Sequence, residues 1–513
     1  MTKKNKLEAK SSSGFLAGIE RVGNALPHPA MIFAIMIAIL AVISALAAKA
    51  NITVDYYDAK AEANVKLQAI SLLNAEGIRY IVNSVVGNFT SFAPLGTVLV
   101  AMLGVGVSEY AGLFDTGLKK LLSNVPSILL TASVVFAGII SNIASDAGYV
   151  VVVPLGAMIF ASAGKHPIAG LAAAFAGVSG GFSANLIFGP TDALLAGITN
   201  EALRASKISA TVAVTGNWYF LIASTFVLTV VGTLVTEKIV IPNLGTYKGS
   251  YVHDDKPITE LEKKALRNAL IAMGIFIVIL IIAMVPQNAI LKEADKSGEV
   301  NIQHFLGNGL IFAILLLFLI PGVVYGKTVG KINSSNDLVE AMGKSMQAMS
   351  GFLVLAFFAA QFVSFFAYTN LGTVLSVKGA EFLEEIGLTG IPLILLFIVL
   401  SAFINLFIGS ASAKWAIMAP IFVPMFFKLG LSPELTQMAY RIADSSTNII
   451  SPLMNYFAMI VIFMQKYDED RGLGTLISTM LPYSMAFLVV WSILLIIWML
   501  LGLPLGPGAN LLI

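Results

Sequence analysis

The sequence predicts an all-α polytopic membrane protein in which one half repeats the other in inverted orientation. Three observations predict it: the composition, the lengths of the apolar runs, and two copies of one proline–glycine–proline pattern. Of 513 residues, 57% are hydrophobic and 12% charged, whereas a soluble domain carries about 25% charged residues. Apolar runs near the roughly 20 residues that cross a bilayer occur at 30–48, 217–235, 269–285, 305–324, 390–408 and 485–503. The net charge of +2 gives no footing for nucleic acid. A chain without cysteine has no disulfide, thiol chemistry or cysteine-held metal. Its four histidines make no metal pattern, and no HExxH, P-loop or strand-borne GxGxxG occurs.

In chain order, the basic tail MTKKNKLEAK places residues 1–29 in the cytoplasm. The run behind it is long and lacks a cleavage-like end, so a retained helix is expected rather than a signal peptide. A first repeat covers 30–236, and its first helix exits to leave 50–80 outside. Residues 237–304 hold Lys238, Lys248, Lys256, Lys263, Lys264 and Arg267, a cytoplasmic loop, and then a helix at 269–285 that exits again. That odd crossing inverts the second repeat, 305–502, whose first helix returns to Lys327, Lys331 and Lys344. Residues 503–513 form a short tail.

The repeat is read from PLGAMIFASAGKHP (154–167) and PIFVPMFFKLGLSP (420–433). In each, two prolines stand thirteen apart with a glycine, Gly164 or Gly430, three before the second. Tyr149 and Trp415 each stand five before the first proline, and SANLIFGP (183–190) and STNIISP (446–452) follow. Inverted repeats with helices broken near the midplane are the architecture of secondary transporters. The breaks matter because backbone groups in lipid must find partners. Residues 88–113, interrupted by Pro94 and Gly96, and their counterpart 351–372 are expected as re-entrant hairpins or as ordinary spans.

The stretch YRIADSSTNIISPL (440–453) carries the chemistry. Gln437, Arg441, Asp444 and Asn448 are spaced four, three and four apart, which puts them on one helix face. A charge at mid-bilayer costs about 3 kcal/mol on insertion scales, so this face meets protein or water. Two readings stay open. Arg441 and Asp444 pair with each other as a clamp, or Arg441 offers a planar fork to a substrate carboxylate while Asp444 orients it or carries a proton. The first half has Ala174, Val178 and Gly181 at the matching places, and only Asn185 matches Asn448. The scaffold is therefore symmetric and the chemistry is not.

Pro190 and Pro452 end the two matched stretches as breaks or as mere kinks. Asp192, in GPTDALLAG, is a proton-carrier candidate because burial favours an uncharged carboxyl; the alternative is a helix N-cap. It lies farther from Arg441 in sequence than Asp444 does, which makes it the preferred carrier. SNIASDAGY (141–149), with Asn142 and Asp146, and IGSASAKWA (408–416) offer either close helix packing or oxygens and helix ends for an ion or an anionic substrate. Trp415 stacks on a substrate ring or sits at the membrane interface. A membrane-embedded hydrolase built on Asp192 and Asp444 is the alternative from another class, though neither lies in an intramembrane protease motif.

Five motifs in order, IERVGNALPHP (19–29), SNIASDAGYVVVVPLGA (141–157), FSANLIFGPTDALLAGIT (182–199), SAKWAIMAPIFVPMF (412–426) and YRIADSSTNIISPLMNY (440–456), resemble the AbgT family of p-aminobenzoyl-glutamate transporters. The resemblance covers nearly the whole chain. It implies an inverted-repeat secondary transporter in the bacterial inner membrane. It also implies a homodimer, with about nine transmembrane helices and two re-entrant hairpins per protomer. It implies transport of p-aminobenzoyl-glutamate or related folate-pathway compounds, with proton-driven export of sulfonamides in some members. Family residues map onto Asp192, Trp415, Arg441, Asp444 and Pro452. Asn185 and Asn448 join the expected substrate site. Asn142 and Asp146 join Asp192 and Asp444 as candidates for coupling to H+ or Na+. No cofactor, resident metal or enzyme activity is expected. A sodium-coupled dicarboxylate carrier is the runner-up, and the direction of transport is left open.

Overall fold

Each apolar run becomes a helix, because only a helix satisfies its own backbone where lipid offers no partner. The computed structural model describes residues 27, 29–58, 63–122, 126–144, 147–247, 258–286, 288–294, 300–302, 305, 309–452, 454, 456–469 and 471–513. Asp146 and nearly all of the motif at 19–29 lie outside the described residues.

The first half runs α1 (Pro29–Lys49), a hairpin of β1 (Thr53–Asp58) and β2 (Ala63–Gln68), α2 (Ala75–Thr90), α3 (Ala93–Ala111), α4 (Leu113–Leu122), α5 (Leu130–Ile140), α6 (Ala147–Ser162), α7 (Pro167–Phe175), α8 (Pro190–Ala205) and α9 (Trp218–Val235). A single helix, α10 (Glu260–Met284), links the halves. The second half runs α11 (Leu310–Val329), α12 (Ser335–Ala348), α13 (Ser350–Tyr368), α14 (Leu371–Glu385), α15 (Gly390–Asn405), α16 (Ala411–Lys428), α17 (Pro433–Asn448), α18 (Phe457–Gln465) and α19 (Leu473–Leu500). Apart from the single turn Ile241–Leu244, nine α-helices are described on each side of α10.

The duplicated sequence pattern has a local explanation. Pro154 and Pro420 lie inside α6 and α16. Gly164 and Gly430 take φ of +71° and +81° in the turns that follow, a left-handed region that costs glycine nothing. The second proline of each copy opens the next helix, where its missing N–H is not needed. His166 Nδ1 caps Ile168 N–H at 3.2 Å, and Ser432 Oγ caps Leu435 N–H at 3.2 Å.

Packing crosses between the halves. Helix α1 packs on α13 and α11 on α3; α16 packs on α8 and α6 on α18; α9 meets α19. Within each half, α5 packs on α7 and α15 on α17. Helix α7 is buried along its whole length and α17 almost so. Close approach of small residues permits this: a Cβ on Gly170 would sit 2.2 Å from Gly156 O, and one on Gly177 would sit 2.3 Å from Val135 O. At the periphery, the apolar window of α10 is only 11% buried, as a helix facing lipid is.

Seven helical segments among the described residues are long and apolar enough to cross a bilayer, or eight if the bent pair α14–α15 is one span. The stretches left open at 88–113 and 351–372 fall in helical segments long and apolar enough to be spans. Pro94 opens α3 rather than breaking it, and α2 with α3 forms one 37-residue apolar unit. Residues Ser350–Tyr368 are a single 19-residue helix. The sharp turn lies later, where α14 meets α15 at 120°. Shorter helices surround the two polar stretches instead: α5 and α6 flank a 3-10 turn at Ser141–Ala144, and α15 and α16 flank residues 406–410. At 1.5 Å per residue, α5 covers only about 17 Å of the roughly 30 Å that a span needs.

Candidate functional site

The polar face of α17 is buried, as its spacing requires: Gln437, Arg441, Asp444 and Asn448 are each 6% exposed or less. Its two charges do not pair with each other. Arg441 reaches across to the first half, where Nη2 lies 2.7 Å from Asp192 Oδ1 at the start of α8. Asp444 turns to α16, where Oδ1 lies 2.5 Å from Lys414 Nζ. The i,i+3 clamp is thereby replaced by two ion pairs that leave the helix in different directions. The proximity premise for the proton is also reversed, since Asp192, remote in sequence, is the carboxylate on the arginine.

Asp192 does two jobs at once. Its Oδ2 accepts the Gly189 N–H at 2.7 Å, closing the first turn of α8, while Oδ1 faces Arg441. Arg441 Nε has no acceptor among the described residues, so one edge of the guanidinium fork is unused. Asp444 sits in a pocket otherwise neutral. Asn448 Nδ2 donates to its Oδ2 at 3.2 Å, and the Tyr440 hydroxyl lies 3.5 Å from Oδ1 while donating to the Ala411 carbonyl at 2.5 Å. Asn405, at the end of α15, binds the Asp444 carbonyl at 2.6 Å, Thr447 Oγ1 at 2.7 Å and Asn448 Oδ1 at 3.0 Å. In the first half, Asn142 lies in the 3-10 turn after α5, and its Nδ2 donates to the Ile139 and Gly181 carbonyls at 3.0 and 3.4 Å.

A second network lies one turn earlier on α17. Gln437 accepts from Thr199 Oγ1 at 2.7 Å and donates to Asn217 Oδ1 at 3.1 Å. Trp415 Nε1 donates to the same Thr199 at 2.9 Å, and its ring stacks on Tyr440 at 4.6 Å. Trp415 has no exposed surface. It is neither interfacial nor a wall of the cavity; in this conformation it packs behind the site and holds Tyr440 in place.

A cavity of about 190 Å³ opens beside the ion pairs, walled by Thr191 of α8, Ser410 and Ser412 at the start of α16, Asn448 at the end of α17, and Tyr149 and Tyr456. The two tyrosines stack at 4.5 Å and give the cavity its aromatic wall. Arg441, Asp192 and Asp444 stand behind this lining rather than in it. Asn185 and Pro452 lie in the two breaks and outside the wall; the Asn185 side chain accepts the Leu186 N–H at 2.9 Å. Ser445 Oγ on α17 accepts the Ser183 N–H at 3.1 Å, tying the first break to the second half.

Sequence reading missed Lys414, Asn405 and Thr199. Lys414 sits next to Trp415 in a quoted motif. Its signal was plain: a lysine in an apolar stretch needs a buried counter-charge, as the arginine did. Tyr149 was noted only as a repeat marker. Among the described residues no group of histidines and carboxylates is arranged to hold a metal ion.

Relatives of known kind match nearly the whole length of the chain. The p-aminobenzoyl-glutamate transport protein of Escherichia coli (strain K12) is 39% identical over 503 residues, 98% of each chain. The crystal structure of the YdaH transporter of Alcanivorax borkumensis, described as having an unusual topology, is 44% identical with a TM-score of 0.87, covering 94% of this chain and 100% of that one. The structure of MtrF of Neisseria gonorrhoeae, from a class of antimetabolite efflux pumps, is 47% identical with a TM-score of 0.90, covering 97% and 100%. A family model described as the AbgT putative transporter family matches residues 14–513, so this multi-pass membrane protein belongs to the AbgT family.

Proposed function

We propose that the chain is a secondary active transporter that moves p-aminobenzoyl-glutamate, or sulfonamides that mimic its aminobenzoyl unit, across the bacterial inner membrane. The observation that carries the reading is a small cavity with an aromatic wall and hydroxyl rim, set directly before two buried ion pairs, one of which, Arg441–Asp192, joins the halves. An acidic aromatic solute suits such a site. The tyrosine pair matches its ring, and the unused edge of Arg441 matches a carboxylate. Transport is favoured over catalysis by the relatives, which are transport proteins. The coupling ion is the proton, carried by Asp192 or Asp444, and the working unit is a homodimer.

Purified protein in proteoliposomes tests this. Flux of labelled p-aminobenzoyl-glutamate should respond to an imposed pH gradient and not to an imposed sodium gradient. A response to sodium alone would replace the proton, and hydrolysis of the solute would replace transport. Asp192→Asn retains the Gly189 cap and should keep solute binding while losing acceleration by the pH gradient.

A further inference from the structure

Lys414 enters the reading above only as the cation beside Asp444. It is fully buried, and its partner Asp444 is 1% exposed. Apart from the 2.5 Å ionic contact to Asp444 Oδ1, Nζ has no hydrogen-bond partner among the described residues. Among the described residues, the other side chains bonded to the Asp444 carboxylate are neutral, Tyr440 and Asn448 of its own helix, while Asn405 of α15 donates to its backbone carbonyl. Arg441, the other cation of α17, is committed to Asp192 of α8. Among the described residues, Lys414 and Asp444 are therefore each other's ion-pair partner.

The position of the pair matters as much as its isolation. Ala411, one turn before Lys414 on α16, and Asn448, one turn after Asp444 on α17, both line the cavity. The ion pair thus fastens two cavity walls together from behind. If a proton neutralises Asp444, the ammonium is left as a lone buried cation, which is strongly disfavoured. The nearest place where it can meet a new anion is the cavity, one turn away.

We propose that Lys414 and Asp444 form a proton-released latch between α16 and α17, and that Lys414, once released, pairs with an acidic group of the transported solute. The proton ends on the Asp444 carboxyl, the ammonium keeps its own, and the solute carboxylate replaces Asp444 as counter-ion. Lys414 acts as a positioning residue for Asp444 and α16 in the closed form. The second half of the proposal rests on the acidic solute proposed above; the latch itself does not.

The test has two arms. In the first, binding of p-aminobenzoyl-glutamate to the purified full chain is measured by calorimetry in buffers of different ionisation enthalpy. The wild type should take up about one proton per solute bound. Lys414→Gln should bind at least about tenfold more weakly and lose that uptake, because without the ammonium the solute carboxylate no longer displaces Asp444 from its counter-ion. Lys414→Gln/Asp444→Asn should regain thermal stability and also show no uptake. Undiminished proton uptake by Lys414→Gln would overturn the coupling. The second arm needs no solute and exploits the absence of cysteine. In Ala411→Cys protein, maleimide labelling, corrected for the thiolate fraction with a model thiol, should accelerate on acidification. With Lys414→Gln/Asp444→Asn added, labelling should be fast at every pH. Equal pH dependence in both backgrounds would overturn the latch. Failure of wild type to bind the solute, with the labelling result intact, would remove the solute reading and leave the latch standing.

Discussion

At the scale of single residues, the site is a set of charges that tolerate burial only in pairs. Removing one partner from a buried pair typically costs about 3–5 kcal/mol, while replacing both by neutral groups is often neutral. Arg441→Met should therefore destabilise the chain by about that amount, and Asp192→Asn/Arg441→Met should recover most of it, read as denaturation midpoints in detergent. Additive losses would mean that the pair is not coupled. Trp415 gives a second expectation. Trp415→Phe keeps the stack on Tyr440 but loses the bond to Thr199, at about 1 kcal/mol, whereas Trp415→Ala leaves a cavity worth about 3–5 kcal/mol. Thermal unfolding that ranks Phe below Ala would contradict this packing. At this scale the sequence was half legible. The spacing of Gln437, Arg441, Asp444 and Asn448 correctly marked a buried polar face, because helical period alone decides which residues share a side. It did not reveal partners, because Asp192 and Lys414 arrive from other helices and no local rule ties them to α17.

At the scale of elements, the local features behind the expected repeat were legible because they are written in backbone chemistry: a left-handed glycine and a helix-opening proline are visible without any knowledge of neighbours. The helix breaks were less so. Pro94 looks like an interruption but opens α3, since a proline in a first turn and a proline in a break read alike in sequence. Both polar stretches could be placed at close packing or at a site, and residues 409–412 prove to rim the cavity while Asn142 braces the α7 turn. Close packing predicts a further result. Gly170→Ala sets a methyl against the Gly156 backbone with no room to retreat, and overpacking of this kind costs about 1–3 kcal/mol. Gly87→Ala, where nothing lies within 4 Å, should be neutral or stabilising. Equal thermal stabilities for the two variants would show that α7 can move away from α6.

At the scale of the molecule, the crossed packing of α1 on α13 and of α3 on α11 is the pattern that a twofold axis between the halves generates. From the loop charges, that axis is expected to lie in the membrane plane. Single cysteines in the cysteine-free chain test the orientation. Asp55→Cys, in the β1–β2 hairpin, should react with an impermeant maleimide added outside intact cells, and Lys331→Cys only after permeabilisation. Reaction of both from the same side would place the axis along the membrane normal instead. The crossing also has a consequence for how the protein is made. Asp192 leaves the ribosome 249 residues before Arg441. At roughly 5–20 residues per second, an aspartate bound for the membrane interior waits about 10–50 s for its cation, and α1 waits longer still for α13. The nascent first half must therefore be held, by the insertion machinery or by water at its edge, until the second half is synthesised. A chain truncated before α17 should be a substrate for membrane proteolysis rather than a stable half-protein.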